Sequence, residues 1–175
     1  PVQFGYSGSY NLGVHGLNAP TIQNAFVAND PNKTFVRFGT GVTEHVFVVP
    51  ANQLFLRFSM FDALTDGNDD LDMYIYYNFS LHIFDIFYGV YVHGFETDEV
   101  AGGPGANYSL LAWWFGENDD AGNMTANGPA FVAAGTTADV TVDWAGLLPN
   151  NIYLGGVSHI TPLGLVELTI ITIGN

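Results

Sequence analysis

Carboxylates crowd one short segment of the chain. Residues 61–72 read FDALTDGNDDLD, and the eleven residues from 62 to 72 include five aspartates. Their like charges repel one another, and a divalent cation bound among them would relieve that repulsion. Every second residue from 66 to 72 carries a side-chain oxygen, a spacing that lets a tight loop aim oxygens at one point. The candidate ligands for a calcium ion are Asp62, Asp66, Asn68, Asp70 and Asp72.

The segment is not an EF-hand, because Leu71 stands where that loop requires glycine and Tyr77 where it requires glutamate. A solvated acidic turn, capped by aspartate side chains that bond to nearby backbone, is the alternative. Two further acidic groups make a second candidate metal set. Its members are Glu96, Asp98, Glu117, Asp119 and Asp120.

Catalytic machinery is not apparent in the sequence. The chain has no cysteine and no Gly-x-Ser-x-Gly segment, and its five histidines are dispersed without a His-x-x-x-His pair. We expect His93 and His159 to be hydrogen-bonded structural residues near strand ends. The run from Trp113 to Phe115 suggests either a sugar-binding face or core residues of a strand, and we favour the core. We therefore predict no catalytic residue and no enzymatic activity.

Four Asn-x-Ser/Thr sequons mark candidate glycosylation sites for a secreted protein. They begin at Asn32, Asn78, Asn107 and Asn123.

Composition narrows the classes of partner. The 175 residues include 3 Lys+Arg and 17 Asp+Glu, for a formal net charge of -14. Binding to phosphates requires clustered basic residues, so nucleic acid and anionic membranes are excluded as partners. A hydrophobic content of 48% supports a folded core rather than disorder. No apolar run is long enough for a membrane span, and the start at Pro1 without a signal peptide suggests a mature form.

The elements that must position these residues are short strands. Period-two alternation with Gly, Asn or Pro between segments predicts strands and almost no helix. The predicted strands cover residues 34–38, 43–49, 53–61, 71–77, 89–94, 108–115, 137–144, 152–158 and 165–173. This pattern indicates an all-β antiparallel sandwich or jelly roll. We expect residues 1–117 to form a calcium-binding sandwich, and residues 118–175 to form a small Ig-like sandwich or to complete the first one.

Several segments, in order, resemble the C-terminal region of secreted bacterial subtilisin-like serine proteases, a region of the pre-peptidase C-terminal type. They are residues 1–17, 55–76, 89–98, 105–116, 120–125 and 153–159. The resemblance implies an extracellular, non-catalytic β-sandwich in which the TDGNDDLD segment binds calcium.

Two functions remain open. The chain could be an extracellular structural subunit that assembles with copies of itself into a filament or matrix. The alternative is an accessory module of a subtilisin-like protease domain, which stabilises the enzyme or binds its substrate. Sheet edges are normally protected by lysine, and this chain has only Lys33, Arg37 and Arg57. Self-assembly is therefore favoured, through the nearly uncharged segment 165–173 or the apolar segment 79–88.

Overall fold

The computed structural model describes residues 1–66, 70–79, 85–95 and 104–174. In these ranges the chain forms strands and a single 3-10 turn, Asp62–Leu64, with no α-helix. The strands are β1 Val2–Gln3, β2 Gly8–Ser9, β3 Asn11–Asn18, β4 Thr21–Asp30, β5 Val42–Pro50, β6 Gln53–Ser59, β7 Asp70–Phe79, β8 Asp85–Phe95, β9 Gly105–Gly116, β10 Met124–Asn127, β11 Phe131–Val132, β12 Thr137–Ala138, β13 Thr141–Trp144, β14 Ile152–Thr161 and β15 Gly164–Gly174. The predicted all-β class is confirmed.

The chain divides into two compact units. The central unit is residues 21–114, and the terminal unit is residues 1–20 together with residues 115–175. The predicted division at 117/118 lies close to the second of these boundaries. It differs at the first boundary, because β3 pairs antiparallel with β14 and so joins the start of the chain to its last part. These two strands are about 140 residues apart in the sequence, so no short segment of the chain indicates that they pair.

The central unit is a β-sandwich. One sheet has β8 between β5 and β7, both antiparallel to it, and the other has β9 between β4 and β6. The last two residues of β4 also pair in parallel with β8. Alternate residues of both sheets point into one core, as period-two strands require. The buried core residues are Val27, Phe47, Val49, Phe58, Val90, Val92, Tyr108, Leu110 and Ala112.

The terminal unit is built around a three-stranded antiparallel sheet in the order β15-β14-β3. Three short pairs accompany it: β1 with β12, β2 with β11, and β10 with β13. Leu17, Met124, Tyr153 and Val157 form one buried cluster, and the partly buried Ile171 and Ile173 of β15 pack against it. A second cluster contains Phe4, Tyr10 and Val132.

Two predicted elements need correction, and two long strands were not predicted. Residues 34–38 are not a strand but belong to the loop between β4 and β5. Their alternation arises because Phe35 stacks on Tyr74 of β7, with 3.8 Å between ring centroids. Residues 137–144 form two short strands instead of one. The long strands β3 and β4 had no prediction, because glycine and asparagine interrupt their apolar pattern.

Candidate functional site

The acidic segment places three of its aspartates around one pocket. Asp62 begins the 3-10 turn, while Asp70 and Asp72 open β7, and all three are exposed. Together with Thr65 they line a pocket of about 380 Å³. The alternation of β7 places Asp70 and Asp72 on one face of the strand, which keeps their carboxylates near each other. Three of the five candidate calcium ligands therefore line the same pocket.

Asp66 has a different role. One of its carboxylate oxygens accepts hydrogen bonds from the Asn107 backbone N–H at 2.8 Å and from Asn107 Nδ2 at 3.0 Å. The Asp66 N–H donates in return to the Asn107 carbonyl at 3.0 Å. The carboxylate thus fastens the loop after the 3-10 turn to β9, and it does not line the pocket of the other three aspartates. Asn68, the remaining candidate, lies outside the described residues.

Oxygen-rich chemistry at this pocket suits a hard cation such as calcium. Among residues 1–66, 70–79, 85–95 and 104–174, however, no three His, Asp or Glu side chains are grouped closely enough to hold a metal ion. Ligands from the segment 67–69 would fall outside that search. The donor types fit calcium, while the described carboxylates alone do not complete a site.

The second candidate metal set is divided. Glu96 and Asp98 lie outside the described residues, and Glu117 is exposed. The Asp119 carboxylate accepts from the Gly116 N–H at 2.7 Å, and that of Asp120 accepts from the Gly122 N–H at 2.9 Å. These two aspartates cap the turn that follows β9, which is the role of an acidic turn without metal.

The sequon asparagines differ in accessibility. Asn32 and Asn107 are exposed, although Asn107 donates to Asp66. Asn123 is tied to the chain, because its Oδ1 accepts from the Leu17 N–H at 2.8 Å and its Nδ2 donates to the Leu17 carbonyl at 2.9 Å. The Asn78 side chain lies outside the described part. A glycan on Asn123 would disturb its bonds to β3, so Asn32 is the most accessible of the three sequon asparagines whose side chains the structure describes.

Buried histidines form hydrogen-bonded pairs within each unit. In the central unit, His45 bonds to Tyr108 Oη at 2.6 Å and to Gln23 Oε1 at 2.8 Å. Burial lowers the pKa of His45 and raises the pKa of Tyr108 to about 12. In the terminal unit, His159 bonds to Tyr10 and, at 2.8 Å, to Thr169 Oγ1. The structural role predicted for His159 is confirmed.

His93 belongs to a buried hydrogen-bonded pair with Asp30 that the sequence did not reveal. Its Nε2 donates to Asp30 Oδ2 at 3.0 Å, and both side chains are almost completely buried. The same carboxylate accepts from the backbone N–H groups of Asn32 at 3.0 Å and Thr34 at 3.4 Å. The His93 hydrogen bond is the main reason why the pKa of Asp30 is lowered. The pair anchors the loop after β4. Asp30 was not among the predicted site residues, because it lies outside the acidic clusters.

One serine pairs with a histidine, without the third member of a catalytic triad. His15 Nε2 lies 2.5 Å from Ser158 Oγ, both residues are buried, and the His15 ring stacks on Phe115. In the described part of the chain, His15 Nδ1 has no hydrogen-bond partner. A nucleophilic serine needs an oriented base and access to substrate, and this buried pair has neither.

Aromatic residues 113–115 belong to the core. Trp113 and Phe115 are 2% and 1% exposed, and Trp114 packs partly buried against the central core. The preference for a core role over a sugar-binding face is confirmed.

The terminal strand β15 lies at the edge of its sheet. It pairs with β14 over its whole length, and within the described residues no strand pairs with its other side. The apolar segment 79–88 behaves otherwise. Its residues Ile86 and Phe87 are in β8 and pair with both β5 and β7, so this part of the segment has no open edge. Strand pairing with a second chain is therefore closed at these residues, while residues 80–84 of the segment lie outside the described part of the chain and the prediction stays untested there.

Comparison with known proteins identifies no relative: no family model matches the chain, and no curated protein or solved structure is significantly similar to it. In the described part, no helix has the length and apolar character needed to cross a membrane.

Proposed function

We propose that this protein is a non-catalytic, extracellular structural subunit that assembles with copies of itself through the edge of β15. The observation that carries the proposal is the unpaired side of this strand in the sheet β15-β14-β3. A sheet edge presents backbone N–H and C=O groups that can pair with another chain.

Length and composition make β15 suited to pairing. Its 11 residues read GLVELTIITIG, which is β-branched and contains one charged residue, Glu167. An extended strand of this length spans roughly 36 Å, enough for several inter-chain hydrogen bonds. No lysine or arginine occurs anywhere in the terminal unit, because all three basic residues lie between positions 33 and 57. The usual positive charges that keep an edge from pairing are therefore missing here.

Exposed apolar side chains lie where β15 begins. Leu163 in the preceding turn is 97% exposed, and Leu165 and Val166 are 48% and 60% exposed. Burial of these side chains against a second copy would add a hydrophobic contribution to the backbone pairing. The partner that best matches an uncharged, β-branched edge is another edge of the same kind.

Calcium is the second part of the proposal. We assign it to the pocket lined by Asp62, Asp70 and Asp72, with Asn68 of the adjacent segment as a further ligand. When bound, the ion supplies positive charge that offsets the repulsion among these carboxylates. Asp62 lies in the 3-10 turn, and Asp70 and Asp72 lie at the start of β7, so these two segments would supply ligands to the same ion. Resemblance to protease C-terminal regions supports the same assignment and an extracellular location.

Assembly is tested by electron microscopy and sedimentation of the purified chain over a concentration range. We expect filaments or higher oligomers that are lost in the double variant Val166→Lys/Thr172→Lys, because lysines on an edge strand oppose pairing. Association should weaken by at least about tenfold. The control Ala134→Lys/Leu148→Lys adds the same charge at exposed loop positions of the same unit. Monodisperse wild-type particles at every concentration would overturn self-assembly and favour the accessory module.

Calcium is tested by thermal unfolding with the ion and with a chelator. Calcium at a hundredfold excess over its Kd should add about 2.7 kcal/mol and raise Tm by roughly 5–10 °C. Asp70→Asn should abolish most of this shift. Asp66→Asn is the matched comparison. It should lower Tm both with calcium and with chelator, because it weakens the bonds to Asn107 in either condition. An unchanged wild-type Tm would contradict the calcium assignment.

A further inference from the structure

The open edge of β15 limits what pairing through this strand can build. One side of β15 bonds to β14, and within the described residues its other side is the only one left open. A contact between β15 of one copy and β15 of a second copy therefore uses the open side of both strands. The resulting sheet has six strands and ends in β3 on both sides. There the Asn123 amide already bonds to the N–H and the carbonyl of Leu17. Pairing of β15 with itself thus joins two copies and stops.

Charge decides the direction of this pairing. In-register parallel strands would place Glu167 of one copy about 5 Å from Glu167 of the other. Like charges that face each other across two strands are destabilising, and the terminal unit has no basic residue to offset them. Antiparallel pairing moves the two carboxylates apart, and its hydrogen bonds are slightly more stable per residue. Antiparallel is therefore the favoured direction.

Hydrogen-bond geometry restricts the register. In an antiparallel pair, a residue that turns its N–H and C=O toward the other strand faces a residue that does the same. Such residues alternate along a strand, so two facing residues of identical strands are both odd-numbered or both even-numbered. The two-fold axis that relates the strands must then pass through a residue position and not between two residues.

A β-bulge limits the run that can pair. The register of β14 and β15 shifts between His159 and Ile160, and it passes from Glu167 to Leu165 without including Val166. From residue 167 to residue 174 the register is uninterrupted. Because a bulge bends its strand and disrupts the regular ladder, a second strand pairs best along residues 167–174.

Ile170 is the centre that uses this run best. With the axis at Ile170, residues 167–173 of both copies pair, and Glu167 faces an isoleucine of the second copy. The two Glu167 positions are then roughly 20 Å apart, well beyond the Debye length of about 8 Å. An axis at Ile171 pairs as many residues but leaves Val166, which is 60% exposed, beyond the end of the second strand.

The facing pairs in this register suit a sheet. Ile170 faces its own copy, Thr169 faces Ile171, and Leu168 faces Thr172. Most of these residues are β-branched and fit the pleated surface of a strand. Roughly six to eight backbone hydrogen bonds would form between the two copies.

We propose that two copies pair their β15 strands antiparallel about a two-fold axis at Ile170, and that this dimer is the unit of any larger assembly. The inference rests on the self-assembly proposed above and names its partner strand, direction and register. A filament then needs a second contact, between dimers, that does not involve β15.

Cysteine cross-linking tests the arrangement, because the chain contains no cysteine of its own. Facing residues of an antiparallel pair have Cα atoms about 4.5–5.5 Å apart, which is within the range of a disulfide. Mild oxidation of Ile170→Cys should therefore link two copies. Thr172→Cys is the matched control, because the two-fold arrangement separates its two cysteines by roughly 14 Å. Its cross-linked fraction should be at least about tenfold lower. A mixture of Thr172→Cys and Leu168→Cys should form the mixed disulfide.

Sedimentation of the wild type distinguishes the failure of this inference from the failure of self-assembly. Monomers at every concentration would contradict self-assembly itself. If the wild type assembles but Thr172→Cys links to itself as readily as Ile170→Cys does, the two-fold arrangement at Ile170 is overturned. Assembly without the mixed disulfide overturns it as well. If Ile170→Cys does not fold, the mixture of Thr172→Cys and Leu168→Cys decides the question.

Discussion

The edges of the two units differ in charge. In the central unit, three outer strands carry charged residues or proline: Glu44 and Pro50 in β5, Arg57 in β6, and Asp70 and Asp72 in β7. The outer strand β4 has a single charged residue, the buried Asp30. In the terminal unit, the edge strand β15 carries only Glu167 among 11 residues. Charges and proline on an outer strand oppose pairing with a second chain. The difference indicates that β5, β6 and β7 are protected against association, whereas β15 is suited to it.

The other edge of the terminal sheet shows that an uncharged strand need not be open. Strand β3 also lacks charge, but the Asn123 amide bonds to both the N–H and the carbonyl of Leu17. In the described part of the chain, a side chain bonds to the backbone of β15 at its first residue, where Thr161 Oγ1 donates to the Gly164 carbonyl at 3.4 Å, and residues 165–173 have no comparable cap. Among the edges of the terminal sheet, β15 is therefore the one left for pairing.

The largest predicted effect concerns the buried pair of the central unit. Asp30→Ala leaves His93 and the N–H groups of Asn32 and Thr34 without their acceptor. We expect a loss of about 3 kcal/mol in the free energy of unfolding, measured by urea denaturation.

Asp139→Ala in the terminal unit is the control for that variant. Asp139 forms an ion pair of 3.6 Å with the Pro1 amino group, and both groups are 82% exposed. Its removal should change the stability by less than about 0.5 kcal/mol. Equal losses in the two variants would show that the buried pair has no special role.

A smaller effect is predicted for the single charge of β15. Glu167→Gln removes a negative charge from a unit that has no basic residue, so repulsion between copies should decrease. We expect association to strengthen by roughly two- to fivefold, measured by analytical ultracentrifugation at low salt. The wild type and the variant should converge at high salt. Weaker association of the variant at low salt would argue against pairing through this edge.

The smallest effects are expected in the dependence of stability on pH. Burial lowers the pKa of His45, so the unfolded chain binds a proton that the folded chain resists. Stability should therefore fall as the pH drops through about 6.5, the ordinary histidine pKa. Burial also lowers the pKa of His159, but the charge of Glu167 opposes this shift. The loss of stability that His159 causes on acidification should therefore be smaller. Unfolding free energies of His45→Gln and wild type at several pH values check this; the variant should lose less stability on acidification.

Asp30 acts in a lower pH range. Because its pKa is lowered in the fold, its stabilisation is present above about pH 3.9, the ordinary aspartate pKa, and is lost as the pH falls through the lower folded value. Acid unfolding followed in wild type and Asp30→Ala should show this loss in the wild type only. The same acid-dependent loss in both proteins would assign it to other carboxylates.

The sequence predicted the fold class because period-two alternation is a local property. It predicted most strands, including β15, which is rich in β-branched residues and contains a single charge, Glu167. It could not predict the pairing of β3 with β14, since register between distant strands depends on tertiary packing. Residues 34–38 were predicted as a strand, but they form a loop in which the apolar ring of Phe35 stacks on Tyr74.

The candidate sites were predictable to different degrees. Clustering of acids indicated the pocket of Asp62, Asp70 and Asp72, but the bonds of Asp66 to Asn107 join positions 41 residues apart. The pair of Asp30 and His93 is 63 residues apart and had no signal in the sequence.

Hydrogen exchange of backbone amides at low and high protein concentration tests the central claim most directly. Self-assembly through β15 predicts that about half of the amides in residues 165–173, those that face the open edge, exchange much more slowly when the protein is concentrated. Amides of the outer strands β5, β6 and β7 should exchange at the same rate at both concentrations. Assembly with unchanged exchange in β15, or with new protection confined to a strand of the central unit, would contradict the account.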